Sequence, residues 1–172
     1  MLEPFKSRFC SIVELTVDLD EWVQWALPKL PIELISFIRY RPNLLHDPHP
    51  STDLINSPSP RTVAKVGKLM TMGLPAAVEF EAYTGAAGEG FAAEFLGFLR
   101  IFRDLPSPDA ILLNPDSVPV PTDPAVLYAL TGALARKCSA NTIGRILKYA
   151  GRMPAEFQVL MMRDASHLNP DI

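Results

Sequence analysis

The chain has 172 residues, of which 48% are apolar and 20% charged, and a net charge of −3. That is the composition of one globular domain, or at most two small ones, with enough apolar surface for a core. It excludes a global basic field for nucleic acid or anionic membrane; there is no run of roughly 18 apolar residues to span a bilayer, and Met1 to Phe9, with Glu3, Lys6 and Arg8, lack the apolar centre of a secretory signal.

Cys10 to Val17 reads CSIVELTV, and its β-branched and apolar residues Ile12, Val13, Leu15 and Val17 predict a strand. It stands alone: a single strand cannot satisfy its own backbone groups, so its partners are expected in another chain or in sequence lying upstream. Everything after it reads as helical. Asp18 or Asp20 is positioned to cap a helix carrying Trp22, Val23, Trp25 and Ala26 that stops near Pro28. Pro31 opens the next, with Leu34, Ile35 and Ile38 on one face and Pro42 at its close. His46 to Pro60 is rich in proline and poor in apolar residues, which predicts a long loop.

A third helix starts at Ser59–Pro60 and turns Val63, Val66, Leu69 and Met70 inward. A fourth covers about Pro75 to Tyr83, with Gly85, Gly88 and Gly90 as its break. Phe91, Phe95, Phe98, Leu99 and Phe102 then recur at spacings of three and four, predicting an amphipathic helix that ends before Pro106. Pro106 to Pro124 is a second proline-rich connector with a short apolar segment at Ile111–Leu113. Three more helices follow: one capped by Thr122 or Asp123 with Leu127, Leu130 and Leu134 inward, one capped by Ser139 or Asn141 with Ile143, Ile146 and Leu147, and one starting at Pro154 with Phe157, Leu160 and Met161. The expected fold is all-α, a two-part helical bundle with one N-terminal orphan β-strand. Cys10 and Cys138 stand far apart and alone, as two free thiols in a reducing cytoplasm.

The residues with chemical potential are few. There is no G-x-x-x-x-G-K-[ST] loop to wrap phosphates and no apolar run ending in Asp-Glu to hold magnesium, so this chain is not expected to hydrolyse ATP on its own. Gly85, Gly88 and Gly90 precede a helix, but no Lys accompanies them and Glu89 would repel a phosphate; a helix break is the simpler reading. His46, Asp47 and His49 place two imidazoles beside a carboxylate, which permits a metal but reads better as a solvated loop, because no further His or Cys lies near. No metal is expected. Between Pro124 and Ala155 there is no acidic residue, yet Arg136, Lys137, Arg145, Lys148 and Arg152 fall there. Two helices meeting near Lys137–Ala140 could act as a helix-turn-helix with the Ser139–Arg145 end in a groove; a solvated face, or a patch docking an acidic partner, is the alternative.

Several segments share an order that resembles the C-terminal third of MoxR-like AAA+ ATPases. Lys6-Ser7-Arg8-Phe9 before a strand looks like the end of the ATPase core, where an arginine finger precedes the last core strand. Glu21-Trp22-Val23-Gln24-Trp25-Ala26 looks like the first lid helix, and Phe37-Ile38-Arg39-Tyr40-Arg41-Pro42-Asn43-Leu44-Leu45-His46 is similar to an F-x-R-x-R-P-x-L-L-H stretch. Pro58-Ser59-Pro60-Arg61-Thr62 looks like a sensor-2 segment, and the segments Gly88 to Phe95 and Pro154 to Phe157 look like pieces found after the lid. The resemblance implies that residues 1–17 are a remnant of the AAA+ core, 18–105 a helical lid and 106–172 a C-terminal helical extension.

It further implies that Arg8 is the arginine finger, reaching ATP held by a neighbouring subunit, and that Arg61 is sensor 2, touching the phosphates of ATP on its own subunit. Guanidinium suits both tasks because it stays charged and forks onto phosphate oxygens. The missing phosphate-binding segments would lie upstream of Met1. ATP with Mg²⁺ would then belong to the parent protein, with no cofactor bound by this chain. The implied partners are the upstream core, neighbouring subunits of a homo-oligomeric ring and, in such ATPases, a protein with a von Willebrand-type domain.

Overall fold

The computed structural model describes residues 8–170. Within them the fold is a helical bundle. Helix α1 spans Leu19–Ala26, α2 Ile32–Tyr40, α3 Pro60–Thr71, α4 Ala76–Ala87, α5 Glu89–Arg103, α6 Pro108–Leu113, α7 Pro124–Lys137, α8 Ile143–Ala150 and α9 Ala155–Leu168, with a 3₁₀ turn at Pro42–Leu45. Local chemistry sets the boundaries. Asp18 caps α1 by accepting from the Glu21 amide at 2.8 Å. Ser59 and Thr62 form a capping box at the start of α3, with Pro60 in the first turn. Asp123 accepts from the Ala125 amide at 2.7 Å and starts α7. Each cap satisfies an amide that the first helical turn leaves without a partner.

Four expectations need correction. The connector expected from Pro106 to Pro124 opens with a six-residue helix, α6, because Pro108 starts a turn that carries Ile111 into the core. The strand expected at Cys10–Val17 does not form: these residues follow no ladder, no strand occurs among the described residues, and Ile12, Val13 and Leu15 are 71%, 75% and 91% exposed. β-branched residues favour a pleated surface only where a neighbouring strand completes the hydrogen bonds, and none is present here. The fourth helix runs on past Gly85 to Ala87, and of the three glycines only Gly88 breaks it. Gly88 takes φ +94°, a backbone region that L side chains avoid, and a Cβ there would sit 2.7 Å from the Asn56 carbonyl oxygen. Neither Ser139 nor Asn141 is the cap of α8; Thr142 holds that position, and its hydroxyl accepts from the Ser139 amide at 2.9 Å.

The apolar faces close on two hydrophobic clusters. The first joins α1 to α5, with Phe37 meeting Phe91, Phe95 and Phe98 at ring-centroid distances of 5.5, 5.1 and 5.5 Å. The second joins α6 to α9 around Ile111, Leu130, Leu134, Ile146, Tyr149 and Met161. Helix α7 serves both, giving Ala125 and Ala129 to the first and Leu127, Leu130 and Leu134 to the second. It lies along α2 so closely that a Cβ on Gly132 would come within 2.5 Å of Ser36 Oγ and 2.7 Å of Ile32 Cγ1.

A buried ion pair crosses the same junction. Arg39 of α2 donates both guanidinium nitrogens to the two oxygens of Asp164 in α9, through Nη1–Oδ2 and through Nη2–Oδ1 at 2.7 Å. Asp164 is fully buried and Arg39 nearly so. A carboxylate in such a place requires a matched fork of donors, and Arg39 supplies it. No helix among the described residues is long and apolar enough to cross a membrane.

Candidate functional site

Helices α1 and α3 form an open groove of about 450 Å³, lined by Trp22, Trp25, Pro60, Arg61, Ala64, Lys65 and Lys68. Its walls follow from helical spacing. On α3, Val63, Ala64, Val66 and Gly67 are buried, which leaves Arg61, Lys65 and Lys68, at i, i+4 and i+7, as a row along the opposite side. On α1, Trp22 and Val23 pack inward while Trp25 remains 44% exposed. The two indoles stand 6.4 Å apart, and Lys29 Nζ lies 4.6 Å above the Trp25 ring.

The groove has an unusual charge inventory. No carboxylate lines it among the described residues, and α3 contains no acidic residue from Pro60 to Thr71. Among the described residues the side chains of Arg61, Lys65 and Lys68 form neither an ion pair nor a hydrogen bond. Trp22, half of the indole wall, keeps its Nε1–H buried without an acceptor. An apolar floor below a row of unpaired cations is suited to an anion that also carries apolar surface.

Arg61, expected as a phosphate-sensing residue, therefore lies at an open groove in the first turn of α3. Arg8, expected as an arginine finger, is exposed at the first described residue, while Lys6 and Ser7 of the same segment lie outside the described residues. Among the described residues, the groove that carries Arg61 is not lined by Arg8.

The basic helix pair behaves differently. Lys137 Nζ meets Asp109 at 2.9 Å, and Lys148 pairs with Asp116. Arg145 donates to the Leu112 carbonyl at 3.1 Å. Arg152 Nη1 donates to the carbonyls of Pro115, Asp116 and Val118 at 2.7, 3.3 and 3.0 Å, and its guanidinium lies 5.6 Å from the Tyr149 ring. Lys148 and Arg152 thus hold the connector between α6 and α7 against the C-terminal end of α8, while Arg145 ties α8, and Lys137 ties the end of α7, to α6. Arg136 alone of the five faces elsewhere, at a shallow surface groove with Lys29, Glu33 and Met70. The Tyr149 hydroxyl adds a bond to the Pro119 carbonyl at 3.0 Å, and burial raises its pKa above 10.0.

The loop from His46 to Pro58 forms a second polar cavity of about 420 Å³ against Gly88, Glu89 and Glu94. Asp47 meets the His49 imidazole at 3.1 Å, and Glu94 pairs with Arg41 at 2.8 Å. Among the described residues no group of three or more His, Cys, Asp or Glu is arranged to hold a metal ion. Gly85 and Gly90 lie inside α4 and α5, and the Gly85 carbonyl accepts from Asn56 Nδ2 at 2.5 Å: the glycine segment anchors the loop. Both cysteines are free; Cys10 is exposed and Cys138 buried, with its thiol pKa pushed up by burial.

Sequence reasoning singled out Arg61 but missed Lys65, Lys68 and Trp25 as its neighbours. Their signal was present as an acid-free helix with cations at i, i+4 and i+7. Comparison with protein-family profiles, with curated proteins and with solved structures finds no match for this chain.

Proposed function

We propose that this chain is a helical lid and extension module of an AAA+-type ATPase, with Arg61 presenting its guanidinium to nucleotide phosphates. The observation that carries the reading is the placement of Arg61. It sits in the first turn of a 12-residue helix, beside two indoles, with no protein acceptor among the described residues. The dipole at a helix start favours an anion, and the guanidinium adds a forked pair of donors. In this reading ATP with Mg²⁺ is held mainly by a separate ATPase core, and the bundle closes onto its phosphates through Arg61. The stiff junction between α2, α7 and α9 passes that motion to the C-terminal helices. Arg8 acts on the nucleotide of a neighbouring copy in a ring, and the remodelled partner, in the manner of such ATPases, is a von Willebrand-type protein.

Alone, the chain lacks a phosphate-wrapping loop, so it binds ATP at about millimolar strength and does not turn it over. Indole fluorescence tests this directly, because Trp22 and Trp25 flank Arg61. Titration with ATP shifts the emission of the wild-type chain, and Arg61→Ala removes the response while Arg152→Ala retains it. An emission that ignores millimolar ATP, or an unaltered response in Arg61→Ala, overturns the proposal. In an assembly with a competent core, Arg8→Ala lowers ATP turnover by about three orders of magnitude; an unchanged rate removes Arg8 from the mechanism.

A further inference from the structure

From the same groove we infer a second role: it docks an acidic amphipathic peptide segment of a partner protein, one with a large apolar side chain flanked by carboxylates. This inference goes beyond the nucleotide reading, which needs Arg61 alone and leaves the rest of the row without a task.

Geometry separates the two ligands. A phosphate group is a point-like anion and calls for donors that converge. Arg61, Lys65 and Lys68 form a row instead: they lie seven steps apart from first to last, which at a rise of about 1.5 Å per residue separates their roots by roughly 10 Å. A linear row of that length matches carboxylates on one side of an extended segment, where alternate residues stand about 7 Å apart. Between the cations and α1 lies an apolar floor of Trp22, Trp25, Pro60 and Ala64. That floor calls for a leucine or aromatic side chain. The amphiphilic indole of Trp25, already half exposed and stacked beneath Lys29, is the kind of residue that anchors such contacts.

The charge complementarity is one-sided. Among the described residues neither the groove lining nor α3 holds a carboxylate, so the cationic row offers an acidic partner attraction along its whole length. Concavity favours a segment that inserts over a flat anionic bilayer, which would meet only the rim.

The test uses the whole chain and a blocked hexapeptide with leucine and phenylalanine at its centre and two acidic residues on either side. Calorimetric titration at low salt is expected to show binding that weakens as salt rises. Lys65→Glu combined with Lys68→Glu weakens it by about tenfold or more, and a hexapeptide with lysines in place of the acids restores binding to that variant. Trp25→Ala weakens binding without altering the salt dependence. The proposal is overturned if the acidic peptide does not bind, if the lysine peptide binds the wild-type chain equally well, or if the charge-reversed variant binds the acidic peptide unchanged. Binding to vesicles of anionic phospholipid but not to the peptide also overturns it and assigns the face to a membrane. ATP response through Arg61 is read separately. Its loss with peptide binding retained removes the nucleotide reading alone, and the opposite result removes the peptide site alone.

Discussion

Helices α3 and α8 each carry a row of basic residues on a helix without an acid of its own, and the two rows have opposite fates. On α8 and just beyond it, Arg145, Lys148 and Arg152 reach the 112–118 stretch and are satisfied by its carbonyls and by Asp116. On α3, Arg61, Lys65 and Lys68 point along an indole-walled groove and meet no protein acceptor among the described residues. Excess positive charge in a sequence is thus not by itself a binding signal. It becomes one where folding brings no acceptor to it, and it becomes internal bracing where a proline-rich connector, rich in carbonyls free of regular structure, passes within reach.

The comparison makes graded predictions, because an engaged cation costs stability when removed and an unengaged one does not. The largest effect belongs to the buried pair. Asp164→Ala leaves the Arg39 guanidinium buried without its acceptor and should lower unfolding free energy by about 3–5 kcal/mol, measured by denaturant melts. Replacing both partners with apolar residues of similar volume should recover most of that loss. Next comes Arg152→Ala, which frees three carbonyls of the connector. It should cost roughly 1–3 kcal/mol and raise amide exchange across residues 114–120 selectively; a uniform rise over the whole chain would mean the connector is not held locally.

Tyr149→Phe removes the bond to Pro119 and should cost about 1 kcal/mol near neutral pH. Burial favours the neutral phenol in the folded state, so its folded pKa exceeds the unfolded value of 10.0. That stabilisation is complete below pH 10 and is lost as pH rises through the folded pKa; Tyr149→Phe should therefore flatten the alkaline limb of the stability curve. Tyr83, raised first by burial and second by Glu79, with Arg103 opposing, contributes a similar limb that remains. The smallest effect is expected on α3. Lys65→Ala and Lys68→Ala should leave stability unchanged within about 0.5 kcal/mol. A larger loss would show that the row is bracing after all and would erase the contrast with α8.

The helical bundle was largely legible in the sequence, because caps and turns act locally. Asp18, Ser59–Pro60 and Asp123 announce helix starts by chemistry contained within four residues, and the Phe91 to Phe102 spacing announces a buried face. What depends on distant partners was not legible. Ile12, Val13, Leu15 and Val17 have strand composition but no neighbouring strand, so propensity misled. Gly85 looks like a breaker, yet nothing crowds a Cβ there and helix continues through it, whereas Gly88 faces the Asn56 carbonyl. The Arg39–Asp164 pair links positions 125 residues apart, and no local pattern marks either residue as buried. The candidate site was legible in one residue. Arg61 could be named from its helix start, but the groove needed α1 to bring Trp22 and Trp25 across from it.

The central claim is that the chain's anion-receptive surface lies on α3 and not on α8. Amide and indole NMR shifts during titration with ATP measure this most directly. The account predicts changes concentrated at the Trp25 and Trp22 indole N–H signals and at the amides of residues 61–68, with residues 136–152 undisturbed. Changes centred on 136–152, or none at millimolar ATP, would contradict it.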